Sequence, residues 1–240
     1  NRINKYTLGR ATQGLSNYLI ENVKKLIKPY YRVDNDQALR DLLAEDMAER
    51  IPVDDYKAWL EAFPQSQKDW IQETWGDPED NYLTINDDGK WYFIIPRMML
   101  GNVMLMPQPN RGSRRDREKE LSHDKKMPLH HAYRAVYHYI LDDYKTDAIV
   151  HVGTHGTQEW LAGKERGLWA YDDPSSTVGS VPIVYPYNVA NVGEALIAKR
   201  RGQAVVISHN TPPFAPAGLY NELAMMHEKL DQIDQLEEGR

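Results

Sequence analysis

None of the 240 residues is cysteine. That absence removes disulfides, thiolate metal ligands, iron–sulfur clusters and cysteine nucleophiles together. A metal held by this protein must therefore sit on His, Asp or Glu, or on a ligand that is not protein. A reducing, cytoplasmic setting fits such a composition. Long apolar runs are missing too: no stretch approaches the roughly 20 residues that a membrane span needs, and no secretory signal is visible. Nor is there an excess of positive charge. With 29 Lys and Arg against 35 Asp and Glu, no global field draws the chain to nucleic acid or to an anionic membrane. Phenylalanine is scarce, three residues against fifteen Tyr and six Trp. The aromatic complement is thus mostly rings with polar edges, which suit wet clefts as well as cores. The chain starts at Asn1 and ends inside a charged helical pattern at 231–240, as expected of a piece of a longer polypeptide.

What is present divides near residue 78. The spacing predicts a helical segment over 1–78 and an α/β core with a C-terminal helix over 79–240. Leu15, Leu19, Leu26, Ile27 and Tyr30 form one helical stripe, and Leu39, Leu42, Leu43, Met47 and Ile51 form another. A third helix opens after Pro52 through Tyr56, Trp59, Leu60 and Phe63, and a fourth, QKDWIQETWG, stops at Gly76. NDDG then signals a turn, followed by the β-rich runs KWYFIIP and GNVMLMPQP. Residues 111–126 hold seven Lys or Arg against four Asp or Glu, the one basic island in an acidic chain. Beyond it, helix (Ala132, Val136, Tyr139, Ile140, Tyr144), strand (DAIVHVG, read as buried on both faces), glycine-rich loop, helix and strand alternate. This is the grammar of an α/β layer whose strand ends face a ligand. A last helix follows the proline-rich NTPPFAPAG.

The stretch AIVHVGTHGTQEWLAGKERGL, 148–168, concentrates the chemistry. A phosphate loop would need a glycine where Gln158 stands and a hydroxyl residue where Glu165 follows Gly163 and Lys164, so a Walker loop is excluded. His151 and His155 have the spacing of a zinc-hydrolase helix, but Gly153 and Gly156 break a helix and Val152 replaces the glutamate base. A third reading places His151 at a strand's carboxyl end, His155 in a glycine-bracketed loop and Glu159 at the next helix start. There, imidazoles can bind a divalent ion and a carboxylate can accept protons beside a large flat ligand. Helix caps and satisfied polar groups remain the alternative for the same residues.

HVGTHGTQEWLAGKERGL resembles the central motif of the large subunit of tetrapyrrole metal chelatases, the family joining CobN-type cobaltochelatase and the magnesium chelatase H subunit. GNVMLMPQPNRG, SHDKKMPLHHAYRAVYHYI and VPIVYPYNVANVGEALIAKRR followed by ISHNTPP are similar to further segments of that family, in the same order. Two positions depart from its pattern: Ala162 stands where proline is usual, and Gln158 where an apolar residue is common. The resemblance implies insertion of a divalent metal into a tetrapyrrole or corrin. Cobalt in cobalamin biosynthesis is the first expectation, with magnesium or iron as alternatives. It further implies that AAA+ ATPase partner subunits use the ATP and that the excised piece alone is inactive. On this reading His151, His155 and Glu159 are catalytic, and His151 and His155 also hold the metal. Arg111, His123, His131, Lys164, Lys199, Arg200 and Arg201 bind the ring or its acidic arms. A CobN-like protein that handles haem or another porphyrin, or a non-catalytic tetrapyrrole-binding module, would carry the same residues.

Overall fold

The computed structural model describes residues 17–31, 35–111, 127–152, 158–186, 192–208 and 221–238. Helix α1 covers 17–27 and tightens into a 3-10 turn, Lys28–Tyr31, burying Leu26 and Tyr30. Helix α2, Asp36–Ala44, turns Ala38, Leu39 and Leu42 inward. The apolar stripe predicts that this helix runs on to Ile51. Instead the chain reverses at Glu45 and Asp46, where φ is 54° at Asp46, and enters strand β1, Ala48–Pro52. Helices α3, Val53–Leu60, and α4, Gln65–Trp75, each begin just after a proline. A ring that fixes φ and lacks an N–H is well tolerated at a helix start.

Strands β2, Thr84–Asp87, and β3, Lys90–Pro96, form a hairpin whose connection is Asp88 and Gly89, with φ of 49° and 82°. Two successive positive φ values are what a type I′ turn demands, and Asp-Gly supplies them. β1 pairs antiparallel with the other edge of β3, Ile51 opposite Phe93, giving the order β1-β3-β2. The sheet therefore crosses the boundary expected at 78/79. Leu39, Ile51 and Tyr56 share one apolar core with Phe93, Val136 and Ile183, so 1–78 is not a helical segment apart. The described residues up to 208 form one compact unit and those from 221 belong to a second.

A second hairpin joins β4, Met98–Leu100, to β5, Val103–Leu105. Helix α5, His131–His138, is buried at all eight positions and extends into a π turn, Tyr139–Asp143, closed by Tyr144 N–H donating to the Tyr139 carbonyl at 2.8 Å. Strand β6 is only Ile149–Val150; a 3-10 turn, Gln158–Trp160, and helix α6, Asp173–Val178, follow. Strand β7, Ile183–Pro186, helix α7, Val192–Arg200, and strand β8, Ala204–Ile207, complete a parallel sheet ordered β6-β7-β8. β6 is not buried on both faces as its apolar run suggests. It is an edge strand, and Val150 is 58% exposed. Ile183, Tyr185 and Ala204 supply the buried side of the sheet, whereas Val205 and Ile207 are exposed. The architecture is α/β, as expected. Helix α8, Glu222–Glu238, lies in the second unit.

Candidate functional site

His151 follows β6 directly, and its backbone N–H continues the parallel pairing by donating to the Val184 carbonyl at 2.9 Å. That bond fixes the residue where the strand gives out. The imidazole packs edge-on against Tyr185, centroids 5.9 Å apart, and its Nε2 lies 3.3 Å from the Tyr137 hydroxyl. Burial lowers the His151 pKa to about 4, so the ring is neutral at pH 7.

His151 lines a cavity of about 620 Å³. One wall is the β4–β5 hairpin and the segment after it, including Met104, Met106 and Gln108; the other is α5 and its extension, with Val136, Tyr137, Ile140 and Tyr144. The described lining contains no Lys, Arg, Asp or Glu side chain. Gln108 bridges the walls: its amide N–H groups donate to the Tyr133 hydroxyl and, at 3.1 Å, to the Tyr137 hydroxyl. Tyr133 and Tyr137 stack with centroids 5.2 Å apart and planes 7° from parallel. The Tyr137 pKa is pushed up to about 12, mainly by burial, with the Glu159 charge adding to the rise. Glu159 thus acts on the same phenol that meets His151.

Glu159 sits in the 3-10 turn behind this wall and is 2% exposed. Arg201 anchors the turn. Its guanidinium donates to the Glu159 carbonyl at 2.8 Å, to the Leu161 carbonyl at 2.7 Å and to the Lys164 carbonyl. The planar guanidinium spreads its donors in fixed directions, so three separate nitrogens each meet a different carbonyl. Gly163 lies so close to Asp172 that a Cβ there would meet the Asp172 Cβ at 2.7 Å, and its φ is 139°. The glycine serves close packing of the chain on itself here. Gln158, 1% exposed, donates to the Pro174 carbonyl, and the Ala162 carbonyl accepts the Asp173 N–H at 3.1 Å.

The other expected site residues scatter. His155 and His123 lie outside the described residues. His131 is interior: its Nδ1 is 2.9 Å from the Tyr56 hydroxyl and its Nε2 is 3.0 Å from the Gly76 carbonyl. With both nitrogens engaged by the fold, it has none left for a ring, and it does not line the cavity. Arg201 is likewise turned inward, 7% exposed, so the Lys199-Arg200-Arg201 run is two exposed cations and one internal anchor. Lys164 is exposed, its ammonium 5.8 Å from the centre of the Trp169 ring. Arg111 borders a separate water-sized hollow with Trp160 and Asp173. Among the described residues, no group of three or more His, Asp or Glu is arranged to hold a metal ion, and no helix is long and apolar enough to cross a membrane.

The CobN/Magnesium Chelatase family model matches residues 6–240. The chain belongs to that family. The aerobic cobaltochelatase subunit CobN of Sinorhizobium sp is 35% identical to it over 208 residues, 83% of this chain and 16% of that protein. The magnesium-chelatase H subunit of Rhodobacter capsulatus is 36% identical over 190 residues, 78% of this chain and 15% of that protein. The solved catalytic subunit of cobaltochelatase from Mycobacterium tuberculosis matches with a TM-score of 0.64 and 31% identity, over 85% of this chain and 18% of that one. The CobN/magnesium chelatase chain described here therefore spans less than a fifth of the length of these relatives. The residues that sequence reasoning passed over are Tyr137, Gln108 and Tyr133. All three lie in the family-like segments GNVMLMPQPNRG and SHDKKMPLHHAYRAVYHYI, but a segment's likeness does not say which of its side chains meets a histidine.

Proposed function

We propose that this chain is part of the ring-binding region of the large subunit of an ATP-dependent metal chelatase of CobN type, inserting cobalt into a corrin precursor in cobalamin biosynthesis. One observation carries the reading: a neutral imidazole, His151, opens onto an apolar cavity of about 620 Å³ with no charged side chain in its described lining. Small-ligand sites have volumes of roughly 300–1,000 Å³. A flat macrocycle presents large apolar faces, which Met104, Met106, Ile140 and Tyr185 are suited to cover. Neutral imidazole suits a borderline ion such as Co²⁺, whereas Mg²⁺ favours oxygen ligands, of which the described lining offers no carboxylate.

Burial keeps the His151 lone pair free of protons at pH 7, so the residue receives metal rather than storing charge. Held by one or two imidazoles, His151 with His155, an ion is released readily to four ring nitrogens. Metal insertion requires two pyrrolic protons to leave, and Glu159 is the carboxylate within electrostatic reach of the cavity wall at Tyr137. Lys164, Lys199 and Arg200, all exposed, would meet acidic arms at the ring's rim. ATP would be spent by AAA+ partner subunits.

The test is metal transfer by the whole protein with its ATPase subunits, using Co²⁺ and Mg²⁺ against corrin precursors and protoporphyrin. Cobalt insertion into the corrin should lead, and His151→Ala and Glu159→Ala should each lower turnover by about 100-fold or more. Wild-type turnover in both variants sinks the reading. The 240 residues alone should give no steady insertion; sustained turnover by them would refute that dependence.

A further inference from the structure

If His151 receives the metal, one of its two nitrogens must be open, and the surrounding bonds select which. Nε2 lies 3.3 Å from the Tyr137 hydroxyl, and among the described residues no group bonds Nδ1. The Tyr137 hydroxyl in turn lies 3.3 Å from Gln108 Oε1 and accepts from the Gln108 amide N–H at 3.1 Å, and the same amide reaches the Tyr133 hydroxyl. Tyr137 is 2% exposed and its ring is stacked on Tyr133, so the hydroxyl has little freedom to turn elsewhere.

We propose that Tyr137 is the positioning residue for His151: its hydroxyl engages Nε2 and leaves Nδ1 as the nitrogen that takes the metal ion, with Gln108 fixing the hydroxyl. This rests on the metal-holding role of His151 given above. A neutral imidazole has one proton and one lone pair. For Nδ1 to keep its lone pair, the proton sits on Nε2 and is donated to the Tyr137 oxygen. The Tyr137 O–H then donates to Gln108 Oε1, while the two Gln108 N–H groups donate to Tyr133 and to a lone pair of the Tyr137 oxygen, so the His151, Tyr137 and Gln108 donors each find an acceptor. The opposite direction places the ring proton on Nδ1 and closes the site to metal. The partner of a ligating histidine's second nitrogen commonly sets tautomer and ring orientation in this way.

The experiment compares the whole protein with Tyr137→Phe, His151→Ala and the double variant, measuring kcat and ring KM for cobalt insertion. Phenylalanine keeps the stacked ring and removes only the hydroxyl. Tyr137→Phe should lower kcat about 10–100-fold, as losses of such partners do, with KM nearly unchanged. In the His151→Ala background it should change kcat by less than about twofold, because its partner is gone. Gln108→Met, similar in volume, should show a smaller loss that vanishes in the same background. Crystals soaked with Co²⁺ alone should place cobalt on Nδ1. Full activity in Tyr137→Phe, an equal loss in the His151→Ala background, or cobalt on Nε2 overturns the proposal while leaving the role of His151 intact. Wild-type turnover in His151→Ala overturns that role and this proposal together.

Discussion

Lowering the pH should weaken this fold steeply, through two histidines at the start of α5. His130 is 3% exposed, and its Nδ1 accepts from the Ala132 N–H at 3.3 Å and from the Asn81 amide at 3.0 Å. His131 is 2% exposed and bonds Tyr56 and Gly76 with its two nitrogens. Burial raises the Tyr56 pKa, so that phenol keeps its proton and donates it to His131 Nδ1. Charging either ring would place a proton on a nitrogen already acting as acceptor. Burial accordingly lowers the His130 pKa to about 3, with His131 adding to the shift, and the His131 pKa to about 4. Both folded values lie below the unfolded value near 6.5. Unfolding below about pH 6.5 therefore takes up a proton at each site. The stability that the neutral rings contribute is whole above that pH and is lost as pH falls toward the folded values.

Each site contributes a slope approaching 1.4 kcal/mol per pH unit, so the pair gives roughly 2.7 kcal/mol per unit. Because each slope is only half developed at pH 6.5, the loss between about pH 6.5 and about pH 4.5 comes to about 4 kcal/mol, a large share of the stability of many domains. Urea unfolding followed by tryptophan fluorescence at stepped pH reads the slope directly. A His130→Asn, His131→Gln double variant should be less stable at pH 7 and show a clearly shallower dependence. A flat stability curve across this window in the wild type, or an equal slope in the double variant, would refute the reasoning.

Two further outcomes follow from packing. Arg134 and Asp173, whose side chains are each 1% exposed, form an ion pair between α5 and α6, and Asp173 also accepts the Leu129 N–H at 2.8 Å. Asp173→Asn leaves the guanidinium buried and uncompensated and should cost about 3–5 kcal/mol, whereas an Arg134→Met, Asp173→Leu double variant should lie near the wild type; chemical denaturation distinguishes them. Gly202→Ala would bring a Cβ to 2.8 Å from the Ala198 carbonyl, 3.0 Å from Gln158 Oε1 and 3.3 Å from the Glu159 Cβ. It should cost about 1–3 kcal/mol and slow turnover by displacing the Glu159 turn, measured by denaturation and kcat.

Elements governed by local chemistry were legible in the sequence. Asp88 and Gly89 announce their turn, Pro52 marks a helix start, and the helix and strand on either side of Gly202 follow from GEALIAKRR and QAVVISH, whereas β7, between them and β6, is a strand the sequence does not announce. β1 was not legible, because Met47 and Ile51 extend the helical spacing of Leu39, Leu42 and Leu43. What decides the strand is pairing with Phe93 and Ile95, more than forty residues away. At the site, the motif points to His151 and Glu159, but spacing cannot tell that Arg201 turns inward while Lys199 and Arg200 remain in solvent. That depends on the carbonyls of Glu159, Leu161 and Lys164 arriving from a distant stretch.

Helix α5 has no solvent-facing side: all eight of its residues are enclosed. Shifting the jaw of the cavity that carries Tyr137 would disturb the packing around Tyr56, Phe93 and Asp173 at once. The opposing jaw is a three-residue-per-strand hairpin with Met99, Leu100 and Val103 in solvent, clasped to the π turn's end by the Tyr144 hydroxyl donating to the Asn102 carbonyl at 2.9 Å. Were the cavity to take a ring, as proposed, that thin ribbon is the wall that could give way at the smaller loss of packing.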